Sequence, residues 1–223
     1  MNEQTSEHVS AVAPSGVARL IAHVKAMAPV RTAVVHPCDA LSLGGALDAR
    51  DAGIITPVLV APLAKLRAVA ADFGLDLGDS EIVDVPHSHA AAATAARLAG
   101  KGEVQALMKG SLHSDEYLGA ILAPEAGLRT ERRLTHCYIM QTASYPRPFI
   151  ITDAAINIAP SLEDKADIVR NAIDLAHVIG VPEPKVAILA AVETVNPRMR
   201  STLDAAALCK MADRGQITGG LLD

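Results

Sequence analysis

The sequence predicts an α/β protein, a largely parallel sheet with helices on both faces. Short β-branched runs alternate with helical patterns along nearly the whole chain. Many of those runs lack the polar alternation of a half-exposed strand, so both their faces are to be buried. Half of the 223 residues are apolar and the mean hydropathy is +0.26, which supplies a core of the necessary size.

The elements follow in order. Thr32–His36 is a β-branched strand, and Leu41–Ala52 carries a helical pattern. Thr56–Ala61 is a second strand. Pro62 then opens a helix at its first position, where its missing N–H costs nothing, and the helix runs to Phe73. Glu81–Val85 alternates as a strand, and Ser88–Leu98 is helical behind a Ser88 cap. Val104–Met108 is a strand. Ser114 caps a helix through Leu122, with Glu116 close to the capping-box position. Strands near Thr135–Met140 and Phe149–Thr152 come next, then a helix from Leu162 to Ile179 capped by Ser161. A strand at Lys185–Ala191, a helix at Ser201–Ala212 and a strand-like Gln216–Leu222 complete the chain. Acidic residues outnumber basic ones up to residue 128 and balance them beyond it. The organisation expected is a disordered tail over 1–14, a first α/β domain over 15–128 and a second over 129–223, with the boundary in Gly127–Arg133.

Composition excludes several classes. The net charge is −5 and the pI near 5.9, with no Trp, three Tyr and two Phe, so the basic face and stacking platforms of a nucleic-acid binder are missing. No apolar run approaches membrane-span length. The first residues, MNEQTSEHVSAVAP, carry two Glu and no basic cluster or apolar stretch, which reads as a cytoplasmic protein without a leader. Cys38, Cys137 and Cys209 are odd in number and widely spaced, which suits a reducing compartment. No GxGxxG, P-loop or GxSxG pattern occurs, and Gly44-Gly45 lacks dinucleotide spacing.

In an open α/β sheet the chemistry gathers beyond the carboxyl ends of the strands. There the sequence delivers His36-Pro37-Cys38-Asp39, then Lys109-Gly110-Ser111 with His113, then Asp153 and Asn157, then Glu193 and Asn196, and finally Thr218-Gly219-Gly220. Lys109–His113 combines a cation, a glycine that permits close backbone approach, a hydroxyl and a helix start, an arrangement suited to an anion. The bland alternative is an ordinary βα turn with a snorkelling lysine. Asp153 reads as a helix cap or a site carboxylate, and Glu193 and Asn196 as a polar loop or ligand contacts. His36 and Cys38 form a weak nucleophile candidate, since the intervening Pro37 gives no reason for contact. His87-Ser88-His89 lacks further ligands at metal spacing, and no metal site is expected. The arginines at 129, 132, 133, 147, 198 and 200 read mainly as charged surface.

Three stretches carry a resemblance: ALMKGSLHSD over 106–115, FIITDAAINIAP over 149–160, and VETVNPRMRSTLDAAALCKMADRGQITGG over 192–220. Together they resemble the phosphate acetyltransferase and phosphate butyryltransferase family, from about Arg31 onward. The pattern is nearer the butyryl-type branch, which includes phosphate acetyltransferases fused to an enoyl-CoA hydratase domain. The resemblance implies an isocitrate/isopropylmalate dehydrogenase-like two-domain α/β/α sandwich, here incomplete at the C-terminus. It also implies a homodimer that moves an acetyl or butyryl group between coenzyme A and inorganic phosphate, with no cofactor besides these substrates. Lys109, Gly110, Ser111, His113, Asp153, Asn157, Glu193 and Asn196 are then the substrate-binding candidates. The acetyl-type branch places an Arg where this chain has Tyr117-Leu118-Gly119, so that CoA contact does not carry over. The family's catalytic Ser-Arg pair and nearby Asp are expected beyond Asp223, which makes the chain a truncated piece, inactive alone. The alternatives are a CoA- or phosphate-binding module or half-enzyme needing a complementary segment, and a dehydrogenase on the same fold.

Overall fold

The computed structural model describes residues 16–223, so the tail expected over 1–14 lies outside the described residues. The chain forms two compact units: Ala22–Glu131, and Arg132–Asp223 together with the described residues before Ala22. A helix that the sequence patterns did not suggest, α1 (Gly16–Val24), opens the described chain. Its first turn belongs to the second unit, where the Val17 N–H is taken by Gln141 Oε1 at 3.2 Å.

The first unit runs β1 (Val30–Val35), α2 (Ala40–Asp51), β2 (Ile55–Ala61), α3 (Leu63–Phe73), β3 (Glu81–Asp84), α4 (Ser88–Gly100), β4 (Ala106–Lys109) and α5 (Ser114–Leu122). All four strands are parallel, in the order β3-β2-β1-β4. Strand side chains alternate between two buried faces. Ala33, Val35, Val58 and Val60 pack on Ala91, Ala92 and Ala95 of α4. Val34, Leu59 and Ala61 pack on Leu43, Ala46 and Leu47 of α2 and on Leu66 and Ala70 of α3. This double burial is why the strands read as continuous apolar runs.

Three helix starts differ from expectation by one residue. Pro62 is the N-cap of α3 rather than its first residue, with φ −61° and ψ 116°. His87, not Ser88, caps α4, because its Nδ1 accepts the Ala90 N–H at 3.2 Å from an extended backbone. His113 occupies the cap position of α5 and its side chain makes no capping bond, so the expected Ser114 cap does not form. Glu116 instead lies with Oε1 3.0 Å from His89 Nδ1 of α4.

The second unit departs from the parallel plan. β5 (Cys137–Thr142) and β6 (Tyr145–Thr152) form an antiparallel hairpin with an irregularity between Met140 and Thr142. The connection is too short for the crossover that parallel strands require. α6 (Leu162–Val178) starts at Ser161 with a full capping box, Ser161 and Asp164 bonding each other's backbone N–H. β7 is only Lys185–Val186 and β8 only Leu221–Leu222, so the strands expected over Lys185–Ala191 and Gln216–Leu222 are mostly irregular. They pair in parallel beside α6 and α7 (Arg200–Asp213) around a core of Ala166, Val169, Ile173, Leu208 and Ile217. Lys165 of α6 meets the buried Asp204 of α7 at 2.5 Å. Gly219, at φ +88°, is needed where it stands: a Cβ would come within 2.9 Å of His177 Cε1 and 3.1 Å of Ile173 Cγ2. Among the described residues no helix is long and apolar enough to cross a membrane.

Candidate functional site

The strand order identifies a single place of interest in the first unit. From β1 the chain winds outward through β2 to β3, then crosses back to place β4 on the other side of β1. The helices leaving β1 and β4 therefore diverge onto opposite faces of the sheet. That reversal opens a crevice beyond the carboxyl ends of the two strands, the usual ligand position in a doubly wound sheet. Val35 is the register partner of Lys109 there, so His36–Asp39 and Gly110–His113 leave the sheet side by side.

The crevice floor is stitched by backbone. Gly110 N–H donates to Val35 O at 2.9 Å and Ser111 N–H to His36 O at 2.9 Å. A Cβ on Gly110 would lie 2.5 Å from Val35 O and 2.7 Å from His36 O. The glycine thus serves an approach between strands, whereas the sequence suggested an approach to a ligand. With these N–H groups committed, the groups left for an anion are the Lys109 ammonium and the first turn of α5. Lys109 is exposed, and among the described residues no carboxylate reaches ion-pair distance from it. The His113 side chain leaves the α5 start uncapped.

Side chains tie the same two loops. His36 is 8% exposed and its Nδ1 lies 2.6 Å from Ser111 O. Asp39 caps α2, accepting the Ser42 N–H at 2.7 Å and the Ser42 hydroxyl at 2.8 Å. Its carboxyl is held below the usual range, chiefly by the Ser42 N–H and, against burial, by the Ser42 and Ser111 hydroxyls. Burial pushes the Cys38 thiol up, outweighing the attraction of Lys65, so Cys38 is no activated nucleophile.

The second-unit candidates form two further clusters. Asp153 receives the Ala155 N–H at 3.0 Å and the Ile156 N–H at 2.9 Å on one oxygen. Its other oxygen receives the His136 N–H at 3.1 Å and Asn157 Nδ2 at 2.6 Å. Burial pushes the carboxyl up, but these four donors outweigh it and lower it to about 2. A carboxylate so occupied is a poor proton acceptor at neutral pH and acts as a local organiser. Asn157 also donates to Leu134 O and accepts Arg133 Nε at 2.5 Å. Arg133 is in turn 3.1 Å from Asp164; patterning alone had assigned it to the charged surface. Asn196 turns its Oδ1 onto the Arg198 N–H at 3.0 Å, and buried Thr202 bonds both its backbone N–H and O. Glu193 is exposed and pairs with no cation among the described residues. Sequence reasoning passed over Thr202, named Asp39 only as part of the His36–Asp39 run, and read Arg133 as surface, because the partners that give Thr202 and Arg133 their roles are not evident from spacing.

Fold and geometry thus define a class: an α/β protein whose first unit is a doubly wound parallel sheet with polar groups of two loops at its switch point. Comparison with known proteins supplies the family. The family model described as phosphate acetyl/butaryl transferase matches residues 88–222. A phosphate acetyltransferase of Rhizobium meliloti is 59% identical over 210 residues, 94% of this chain and 66% of the relative. A phosphate butyryltransferase of Clostridium acetobutylicum is 39% identical over 204 residues, 92% of this chain and 68% of the relative. Among solved structures, a branched-chain phosphotransacylase from Enterococcus faecalis superposes with a TM-score of 0.71 at 24% identity, covering 86% of this chain and 67% of that one. A phosphotransacetylase from Staphylococcus aureus does so with a TM-score of 0.68 at 15% identity, covering 95% and 73%. The chain belongs to the phosphate acetyl/butaryl transferase family. It spans 66% of the Rhizobium relative and 56% of a phosphate acetyltransferase from Rickettsia felis.

Proposed function

We propose that the protein transfers an acetyl or butyryl group reversibly between coenzyme A and inorganic phosphate. The observation that carries this is Lys109, a cation with no carboxylate partner among the described residues, at the switch-point edge beside the uncapped start of α5. A phosphate dianion seated there would meet a fixed positive charge and a helix dipole, the two things its binding needs. As phosphate attacks the thioester carbonyl, negative charge develops on the carbonyl oxygen, and the same field favours it. Gly110 and the His36 Nδ1–Ser111 O contact tie the two loops of the seat together. Within the second unit, Asp153 and Asn157 hold the Arg133–His136 segment in place, Asn196 shapes the loop before α7, and Glu193 stands exposed.

The finer reading belongs here too: an isocitrate/isopropylmalate dehydrogenase-like two-domain architecture, a cytoplasmic homodimer, and no redox cofactor, since acyl transfer moves no electrons. The test is phosphate-dependent release of thiol from acetyl-CoA and butyryl-CoA by the protein at its natural length. Turnover that requires phosphate supports the proposal, and the ratio of the two rates names the acyl group. Saturable CoA-thioester binding without turnover would sink it in favour of a binding module.

A further inference from the structure

Glu116 stands in the first turn of α5, and the proposed reaction does not use it. Its side chain is only 9% exposed, and Oε1 is buried without a hydrogen bond among the described residues. The one cation within ion-pair distance among those residues is His89 of α4, whose Nδ1 stands 3.0 Å away and whose side chain is 77% exposed. An acid near a helix start steadies the helix dipole. That role needs no burial, and Glu116 is buried against a second helix. A carboxylate taken out of water without hydrogen bonds depends on a paired charge. Here the paired charge is conditional, because histidine is the side chain that gains and loses its proton between about pH 5 and 8. The turn is also fixed in place at the next residue. Burial pushes the Tyr117 phenol up, so it stays protonated, and its hydroxyl donates to Leu107 O of β4 at 3.0 Å.

We propose that the His89–Glu116 pair sets the affinity of the α5 start for inorganic phosphate and makes it pH-dependent, an inference that rests on the function proposed above. The free N–H groups of that start and Glu116 belong to one helical turn, a pitch of about 5.4 Å. With His89 protonated the pair is neutral, and phosphate meets the Lys109 ammonium and the helix dipole unopposed. With His89 neutral the pair carries a full negative charge, which repels the dianion across a partly buried, weakly screened stretch. Phosphate is thus held more tightly below the histidine range and more weakly above it. The other charged or titratable groups around this turn are His87 and Arg97 of α4, Asp115 of α5, Glu125 in the 3-10 turn Pro124–Ala126, and Lys109 and His113 before α5. None of the cations among them reaches ion-pair distance of Glu116, and His87 Nδ1 is occupied by the Ala90 N–H.

Two variants read the pair in opposite directions. The KM for phosphate is measured with acetyl-CoA at pH 6 and pH 8 on the protein at its natural length, each variant against wild type at the same pH. The second ionisation of phosphate and the charges of Lys109 and His113 are common to all and cancel in the ratio. Glu116→Gln keeps the shape and removes the charge, so its KM should match wild type at pH 6 and be about fivefold lower at pH 8. His89→Gln removes the compensating charge from an exposed side chain, so its KM should be about fivefold higher at pH 6 and match wild type at pH 8. In both, kcat should stay within about twofold. A merely structural tie between α4 and α5 would move both variants the same way at both pH values. Ratios that ignore pH, or that move together, overturn the coupling and leave acyl transfer standing. Wild-type protein without turnover removes both.

Discussion

At Gly110 the geometry leaves no room for argument by degree. A Cβ would sit 2.5 Å from one carbonyl oxygen and 2.7 Å from the next, both in the backbone of the central strand, which cannot rotate away. Gly110→Ala is expected to destabilise the first unit by about 2 kcal/mol, read as a lower midpoint in urea denaturation. Asp153 makes a pH-dependent case. Its carboxyl is lowered to about 2 from an ordinary 3.8. A depressed folded-state value means stability fully present above the unfolded value, beginning to fall near pH 4 and lost as pH drops through about 2. Partial exposure screens the effect, so its size is about 1–2 kcal/mol. Asp153→Asn places its NH2 against two donors whichever way the amide is turned, His136 N–H and Asn157 Nδ2 one way and the Ala155 and Ile156 N–H groups the other. Denaturation from pH 2 to 6 should show the variant weaker at neutral pH and flatter across the acid limb. An unchanged slope would mean that Asp153 is not the carboxylate responsible.

Elements test a different kind of statement, because their ends depend on local chemistry. The Ser161–Asp164 capping box satisfies two N–H groups that α6 would otherwise leave bare. Ser161→Ala should cost about 1 kcal/mol, visible in thermal denaturation, while Ser88→Ala, one residue inside α4, should cost far less. The contrast is informative about what could be read in advance. Ser161 was legible because a hydroxyl residue three positions before an acid is a local signature. Ser88 misled because histidine also presents an acceptor, and His87 stands first in an extended backbone at φ −162°. The β5–β6 hairpin was legible in its strands but not in its pairing; the brevity of the connection was the signal that the two could not be parallel. Lys109–His113 announced itself by residue type. His36 stood in the same strand-end reading, but its tie to Ser111 O was not legible, since that partner lies 75 residues away and only the β1–β4 pairing brings the two together.

At the scale of the molecule, the alternation of strands and helices was enough to name the fold class, but strand order was not. The order β3-β2-β1-β4 is decided by which apolar faces meet, a long-range matter on which no single segment votes, and with it goes the position of the switch point. The same long-range packing separates the chain into two cores. Leu59 is fully buried among residues of the first unit, and Ile173 is 2% exposed among residues of the second. A leucine or isoleucine truncated to alanine in such a place removes about 2–5 kcal/mol. If each core is a cooperative unit, the loss stays where it is made. Leu59→Ala should then speed amide hydrogen exchange throughout β1–β4 and α2–α5 and leave α6 and α7 protected as before. Ile173→Ala should do the reverse, opening α6, α7 and the short β7–β8 pair alone. Loss of protection along the whole chain in either variant would show that the two cores unfold as one, and that division into units describes contacts but not stability.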